Sequence, residues 1–289
     1  CYSSSEGCER EPEMTTAQAR GLIEQAAAFG CPVLLFSGGE PLLRGDLFEL
    51  IAFAREKGLR TVLSTNGTLI TEQAAETLAG LDLSYAGISL DGPEAMHDRF
   101  RGKEGSFAAT MRGIENCRKA GIRTGLRFTM TRENIDRIET IFAIAAAAGI
   151  RRLCFYHLIR TGRAEQLGDQ MPSSEQTRRA MDALLRETDR LVETDGADEV
   201  LTVGNHADGP YLLMRLKEDK PERLAAAEEF LRRAAGNRVG QNIAAVDWAG
   251  RVTPDQFWRN YSLGNILERP FGAIWQDESD PVLNVLRHK

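Results

Sequence analysis

Short apolar runs recur along this chain, each followed by a helical pattern that a glycine closes. The runs centre near Val33, Val62, Ile88, Leu126 and Cys154, at separations of 29, 26, 38 and 28 residues. Each interval has the length of one strand plus one crossover helix, and unbroken strand–helix alternation calls for a parallel sheet with right-handed crossovers. The helical stretches carry their own punctuation. Thr15 and Gln18 have the spacing of a capping box, Ala19, Leu22, Ile23 and Ala26 make one apolar face, and Gly30 is the stop. A second helix places Leu47, Leu50, Ile51 and Ala54 on one side and ends at Gly58. A short helix from Thr71 follows, then one with Phe107, Met111 and Ile114 that ends near Gly121, one capped by Asn134 that stops at Gly149, and one over Ser173–Glu193.

Five such strands, with a sixth expected to precede residue 1, indicate an α/β fold: a partial (βα)6 TIM-type barrel over residues 1–195. A doubly wound open sheet satisfies the same local pattern, because periodicity does not reveal strand order. Residues 196–289 lose the alternation and read as a small C-terminal extension. It holds one further short strand around Leu201–Val203, a charged amphipathic helix over Pro221–Ala235, and a hairpin over Ile243–Val252 turning at Ala249-Gly250.

A net charge of -6 argues against non-specific nucleic-acid binding, which wants a basic surface. No apolar run approaches the roughly 18 residues of a membrane span, so neither nucleic acid nor membrane is expected as a partner. The five cysteines are scattered and odd in number, which is no disulfide framework and fits a reducing cytoplasm. Cys117 and Cys154 have core spacing and read as buried small apolar residues.

In a parallel barrel, ligand contacts come from the C-terminal ends of the strands. Here those ends are polar and glycine-rich: Ser37-Gly38-Gly39-Glu40-Pro41, Ser64-Thr65-Asn66-Gly67, Ser89-Leu90-Asp91-Gly92, Thr129-Met130-Thr131-Arg132-Glu133-Asn134 and Tyr156-His157. The first of them closes Pro32-Val33-Leu34-Leu35-Phe36, an apolar run that reads as a strand with both faces covered. Gly38-Gly39 lets the backbone come close to a ligand, with the Glu40 carboxylate beside it. Arg127 alternates with Leu126 and Phe128, so it should point into the barrel, where a charge needs a partner or an anionic ligand.

Cys1-Tyr2, Gly38-Gly39-Glu40-Pro41 at its spacing, and the Thr65-Asn66-Gly67 and Ser89-Leu90-Asp91-Gly92 strand ends resemble the radical S-adenosylmethionine enzymes over residues 1–195. The resemblance implies a [4Fe-4S] cluster on three thiolates of a Cys-x3-Cys-x2-Cys loop, with one iron left open for S-adenosyl-L-methionine. Cys1 corresponds to the third of those cysteines; the other two, and the first strand, would lie upstream. Cys8 falls outside the motif spacing, and the residues as given do not complete the cluster set. By the same match Gly38, Gly39 and Glu40 would receive the methionine amino group, Ser89 and Asn66 the ribose or the methionine carboxylate, and Arg101 in a charged loop that carboxylate. Arg127 would serve cofactor or substrate.

The segment Asp247–Trp258, then Ser262-Leu263-Gly264-Asn265-Ile266 and Ile274-Trp275, is similar to the hairpin of radical enzymes with an auxiliary iron–sulfur domain. Asp255 stands where that pattern has a cysteine, so an auxiliary [4Fe-4S] cluster would draw its ligands from outside residues 1–289. Leu126–Thr131, Cys154–Leu158, Asn205–Pro210 and Pro254–Trp258 most resemble the tetrapyrrole-modifying members, above all those of heme d1 biosynthesis. That resemblance implies a 5′-deoxyadenosyl radical that acts on an iron tetrapyrrole such as didecarboxysiroheme, replacing propionate side chains by oxo groups. A low-potential electron donor would be the other partner. Relatives of the alternative heme pathway remove acetate or decarboxylate propionates on similar rings, peptide-maturing radical enzymes share the barrel, and a tetrapyrrole-binding scaffold without a cluster is the non-enzyme alternative. A carboxylate-bearing iron macrocycle would want arginines and a histidine at the barrel mouth. The candidates are Arg151, Arg152, Arg160 and Arg163, with His157 and His206 as catalytic groups, His206 as proton donor or axial ligand.

Overall fold

The computed structural model describes residues 12–194, 196–234, 236 and 238–288, except the side chains of Arg163 and Gln166. Six strands form one sheet: β1 (Val33–Phe36), β2 (Arg60–Thr65), β3 (Tyr85–Ser89), β4 (Thr124–Met130), β5 (Arg152–His157) and β6 (Glu199–Val203). All neighbours are parallel and their spatial order is their chain order. A doubly wound sheet reverses its order at a switch point. This one never does, so the helices fall on one face and the other face forms the lumen of a partial barrel.

The helices between the strands are α1 (Thr16–Ala28) before β1, then α2 (Leu47–Glu56), α3 (Glu72–Gly80), α4 (Glu94–Arg101), α5 (Ser106–Lys119), α6 (Ile138–Ala147) and α7 (Ser174–Glu193). Thr15 and Gln18 make the expected capping box on α1, worth about 1 kcal/mol. The core lies between sheet and helices. Leu63, Ile88, Leu126, Phe128, Leu153 and Phe155 point from alternate strand positions into it, against residues such as Ile51, Leu78, Ile114 and Ile141. Phe155 stacks on Phe142 at 5.4 Å and meets Phe128 edge-on at 5.8 Å. Each fully buried side chain of this size contributes about 1.5–3 kcal/mol.

Four expectations from the sequence need correction. The short strand expected around Leu201–Val203 in the extension is β6, which pairs with β5 from Arg152↔Glu199 to Tyr156↔Val203, so the sheet runs past residue 195. β1 does not have two covered faces: Val33 and Leu35 are 42% and 38% exposed. Among the described residues β1 has a neighbour on one side only, so its lumen-facing residues lie open while Leu34 and Phe36 pack beneath α1 and α2. The charged segment carrying Arg101 is not a loop but α4, closed by Gly102 in the left-handed conformation. Asn134 does not cap α6; a 3-10 turn over Ile135–Arg137 intervenes, and its side chain turns back to bind Thr131, Thr129 and Asp91.

Beyond the sheet, α8 (Asp208–Asp219) and α9 (Pro221–Ala234) form a helical pair. The expected hairpin is β7 (Ala245–Val246) with β8 (Arg251–Thr253), to which β9 (Gly264–Asn265) adds a third antiparallel strand. With α10 (Phe271–Trp275) and α11 (Pro281–Arg287) it builds a second core that Leu22 and Phe29 of the α1 region join. Among the described residues no helix is long and apolar enough to cross a membrane.

Candidate active site

The strand ends of β1 and β2 are tied together by Glu40. Its Oε1 accepts from the Thr65 hydroxyl at 2.7 Å and from the Leu42 N–H at 3.2 Å, and its Oε2 accepts from the Asn66 N–H at 2.8 Å. The Thr65 oxygen in turn accepts from the Gly67 N–H at 2.9 Å. Burial pushes the Glu40 carboxyl above its usual range; the three hydrogen bonds and the Arg101 charge oppose that shift without cancelling it. Glu40 thus pins the mouth of the lumen, and the exposed backbone of Gly38-Gly39 stands beside it. Gly38 has φ +137°, and a Cβ there would meet nothing within 4 Å, so glycine is needed for conformation rather than space.

Next around the mouth, Asn66 uses its Oδ1 to accept from the N–H and hydroxyl of Thr68 at 2.8 and 2.7 Å, which leaves Nδ2 as the donor it can offer. Ser89 ends β3, half-buried and on the lumen face. Arg101 reaches back from the end of α4 to Asp91, with Nε at 2.7 Å and Nη2 at 2.5 Å from the same carboxylate oxygen. Asp91 is 2% exposed. Its N–H donates to His97 Nδ1 at 3.1 Å and its carbonyl accepts from Asn134 at 3.0 Å. The His97 imidazole is itself buried, and burial holds its pKa below the ordinary value.

Glu40, Asn66 and Arg101 therefore share one mouth with Ser89 and the Gly38-Gly39 backbone. The donor set fits the zwitterion of an amino acid: carbonyl and carboxylate oxygens for the ammonium, a guanidinium for the carboxylate. It suits S-adenosylmethionine on that ground. No such fit exists for an iron–sulfur cluster among the described residues. Cys117 and Cys154 are buried, Cys31 stands half-buried before β1, and no three metal-ligating side chains converge. Cys1 and Cys8, and the side chain of Arg163, lie outside the described residues.

The two expected catalytic histidines are placed differently from each other. His157 ends β5 on the helix-facing side, and its Nε2 lies 2.9 Å from Asp208, the buried first residue of α8. Asn205 also donates to Asp208, at 2.8 Å. His206 is exposed on the short turn between β6 and α8. Of the arginines proposed for the mouth, Arg151 and Arg152 sit at the opposite end of β5, paired with Asp198 at 2.8 Å and Glu199 at 2.6 Å. Arg151 precedes the strand and Arg152 is its first residue, so their place at the mouth is corrected; Arg160 lies exposed just after β5.

Sequence reasoning missed Asp91 as the partner of Arg101, and Asp208 as the partner of His157. Asp91 lay within a strand end already singled out, but its partner is ten residues away on an unexpected helix. Asp208 lay within the Asn205–Pro210 segment already noted, but its partner is 51 residues away at the end of β5.

A strictly sequential parallel half-barrel with a polar strand-end mouth is the frame of one large class of enzymes. The chain belongs to the radical SAM superfamily, whose model matches residues 1–145. The family implies a four-iron, four-sulfur cluster and S-adenosylmethionine. The chain is 47% identical over 289 residues to the Fe-coproporphyrin III synthase of Methanosarcina barkeri, spanning 100% of this chain and 72% of that protein. It is 35% identical over 291 residues to the pre-heme d1 synthase of Dinoroseobacter shibae, again 100% of this chain and 72% of the relative. In fold it is similar to Streptococcus suis SuiB bound to precursor peptide SuiA, with a TM-score of 0.76 over 100% of this chain and 63% of that one, at 17% identity.

Proposed function

We propose that this chain is the core of a radical enzyme that acts on an iron tetrapyrrole and removes acetate side chains from it, leaving an iron coproporphyrin. The 47% identity to an Fe-coproporphyrin III synthase, over 100% of this chain, carries this reading. The sequence alone pointed instead to heme d1 biosynthesis with propionates exchanged for oxo groups. The relative of that type is 35% identical, and this stands as the second reading.

S-adenosylmethionine supplies hydrogen abstraction by a 5′-deoxyadenosyl radical in this family. The chain's own part is binding and exclusion of water. The Gly38-Gly39 backbone and Glu40 would receive the ammonium, Arg101 the methionine carboxylate, and Asn66 and Ser89 the ribose. Arg101 is suited to this because Asp91 holds its Nε and Nη2, which orients the guanidinium and leaves Nη1 to be shared. An auxiliary cluster, a low-potential electron donor and a cytoplasmic setting belong to the same proposal. The exposed His206 is its candidate for proton transfer or iron ligation, while His157, on the helix-facing side and bound to Asp208, would have to act from the end of β5.

The test incubates full-length, cluster-reconstituted protein with S-adenosylmethionine, reductant and didecarboxysiroheme under anaerobic conditions, and reads the product by mass spectrometry. Loss of whole acetate side chains with all propionates kept supports the first reading. Loss of propionates with gain of ring oxygens supports the second. Formation of 5′-deoxyadenosine with the macrocycle unchanged would overturn both.

A further inference from the structure

The strand register sorts the lumen side chains into rows. Ser64, Gly87, Gly125, Arg152 and Glu199 lie side by side, and the next row toward the mouth is Ser89, Arg127, Cys154 and Leu201. Arg127 does not extend toward the mouth. It folds back across the lower row and donates from Nη1 to the Ser64 hydroxyl. A Cβ on Gly87 would lie 2.2 Å from its Nε, 2.6 Å from Cζ and 2.8 Å from Nη2, so the guanidinium rests flat against bare backbone. Gly125 does the same for Tyr85, whose hydroxyl stands 2.2 Å from where a Cβ would be. Two glycines on adjacent strands thus make a slot that holds a guanidinium and a phenol against the sheet.

The charges in this slot do not balance. Arg152 stacks over the Tyr85 ring at 4.7 Å and is matched by Glu199 at 2.6 Å. Arg127 has no carboxylate partner among the described residues; its partners are the neutral hydroxyls of Ser64 and Tyr85. Both hydroxyls can donate as well as accept, and burial keeps the Tyr85 phenol protonated. A half-buried cation ringed by neutral donors favours an anion, because an unmatched charge away from water is costly.

We infer that Arg127, Ser64 and Tyr85 form a carboxylate receptor on the lumen floor, which takes a peripheral carboxylate of the substrate. This rests on the tetrapyrrole reading above and adds the group that anchors the macrocycle. Two cations divide between two carboxylates. Arg101 stands at the mouth, its charge acting on Glu40. Arg127 is turned away from that mouth, one row deeper. A planar fork flanked by two hydroxyls suits a carboxylate bound through both oxygens.

The experiment titrates full-length, cluster-reconstituted protein with iron coproporphyrin III and, separately, with its tetramethyl ester, following the visible spectrum; S-adenosylmethionine affinity is measured by equilibrium dialysis. For Arg127→Met we expect affinity for the free acid to fall roughly 10- to 100-fold, as the loss of charge-assisted hydrogen bonds implies, with ester and S-adenosylmethionine affinities changed less than about twofold. Arg127→Lys should recover part of the acid affinity. Gly87→Ala keeps the charge but drives the guanidinium from its slot, so it should weaken acid binding too and carries the test if Arg127→Met does not fold. Unchanged preference for acid over ester in these variants overturns the inference, as does a loss confined to S-adenosylmethionine. Failure of the wild-type protein to bind either macrocycle would instead remove the tetrapyrrole reading, and this inference with it.

Discussion

Glu40→Gln tests whether Glu40 acts as the pin between the ends of β1 and β2. The glutamate accepts three hydrogen bonds, two on Oε1 and one on Oε2. An amide accepts on one atom only. With its nitrogen toward Asn66, a buried backbone N–H faces another donor. With the amide flipped, the nitrogen meets the Thr65 oxygen, which can accept, and only the long 3.2 Å bond from Leu42 is lost. The flipped form is preferred and should cost about 1 kcal/mol. The burial that raises the Glu40 pKa adds a pH dependence. A carboxyl with a raised folded-state pKa contributes stability that is whole below the unfolded value of roughly 4.3 and is lost as pH rises through the folded value. Glutamine does not titrate. The deficit of Glu40→Gln should therefore be largest in acid and shrink as pH rises through the raised pKa, whereas Glu40→Ala, which abandons all three donors, should cost about 2–4 kcal/mol. Urea unfolding midpoints across a pH series read both. Wild-type and Glu40→Gln profiles that run parallel, or separate as pH rises, would refute the reasoning.

Gly125→Ala places a Cβ 2.2 Å from the Tyr85 hydroxyl and 2.9 Å from the Arg152 carbonyl oxygen, so a loss of about 1–3 kcal/mol is expected in thermal melts. Adding Tyr85→Phe should restore only part of it, because the backbone contact stays; full recovery would contradict the geometry. Asp208→Ala strips the acceptor from both His157 and Asn205 and should cost roughly 1–3 kcal/mol. Its effect should not add to that of His157→Ala, and strict additivity in urea unfolding would show that the pair is uncoupled. Burial pushes the Cys117 thiol up to about 11, so iodoacetamide at mildly alkaline pH should label half-exposed Cys31 well before Cys117, as read by peptide mass spectrometry. Equal labelling rates in the folded protein would sink that expectation.

What was legible in the sequence is what short-range chemistry determines. The capping box at Thr15, the period of strand and helix, and the polar strand ends each depend on residues within one turn of chain, and each stands where it was expected. α4 was missed because its mean composition is charged and Asp98 looks like a loop former. In fact the Asp98 carboxylate accepts from Gly105, Ser106 and Phe107, which joins α4 to α5 and makes the helix worth forming. The exposed face of β1 could not be read either, since an apolar run is the same string of letters whether or not its lumen face is covered.

The lumen illustrates the same limit from the other side. Alternation with Leu126 and Phe128 was enough to aim Arg127 inward, because the period of a strand is a property of the strand itself. That its guanidinium lies on Gly87 and reaches Ser64 depends on the register of β2, β3 and β4, which no local pattern encodes. Gly87 and Gly125 sit inside strands, where glycine costs stability and has no turn to make. Their presence makes sense only once the neighbours are known: the sheet gives up two side chains so that a cation and a phenol can lie flat within it. A strand glycine facing an arginine one row away is thus evidence for a built receptor rather than for a weak strand, and it becomes visible only when sequence and register are read together.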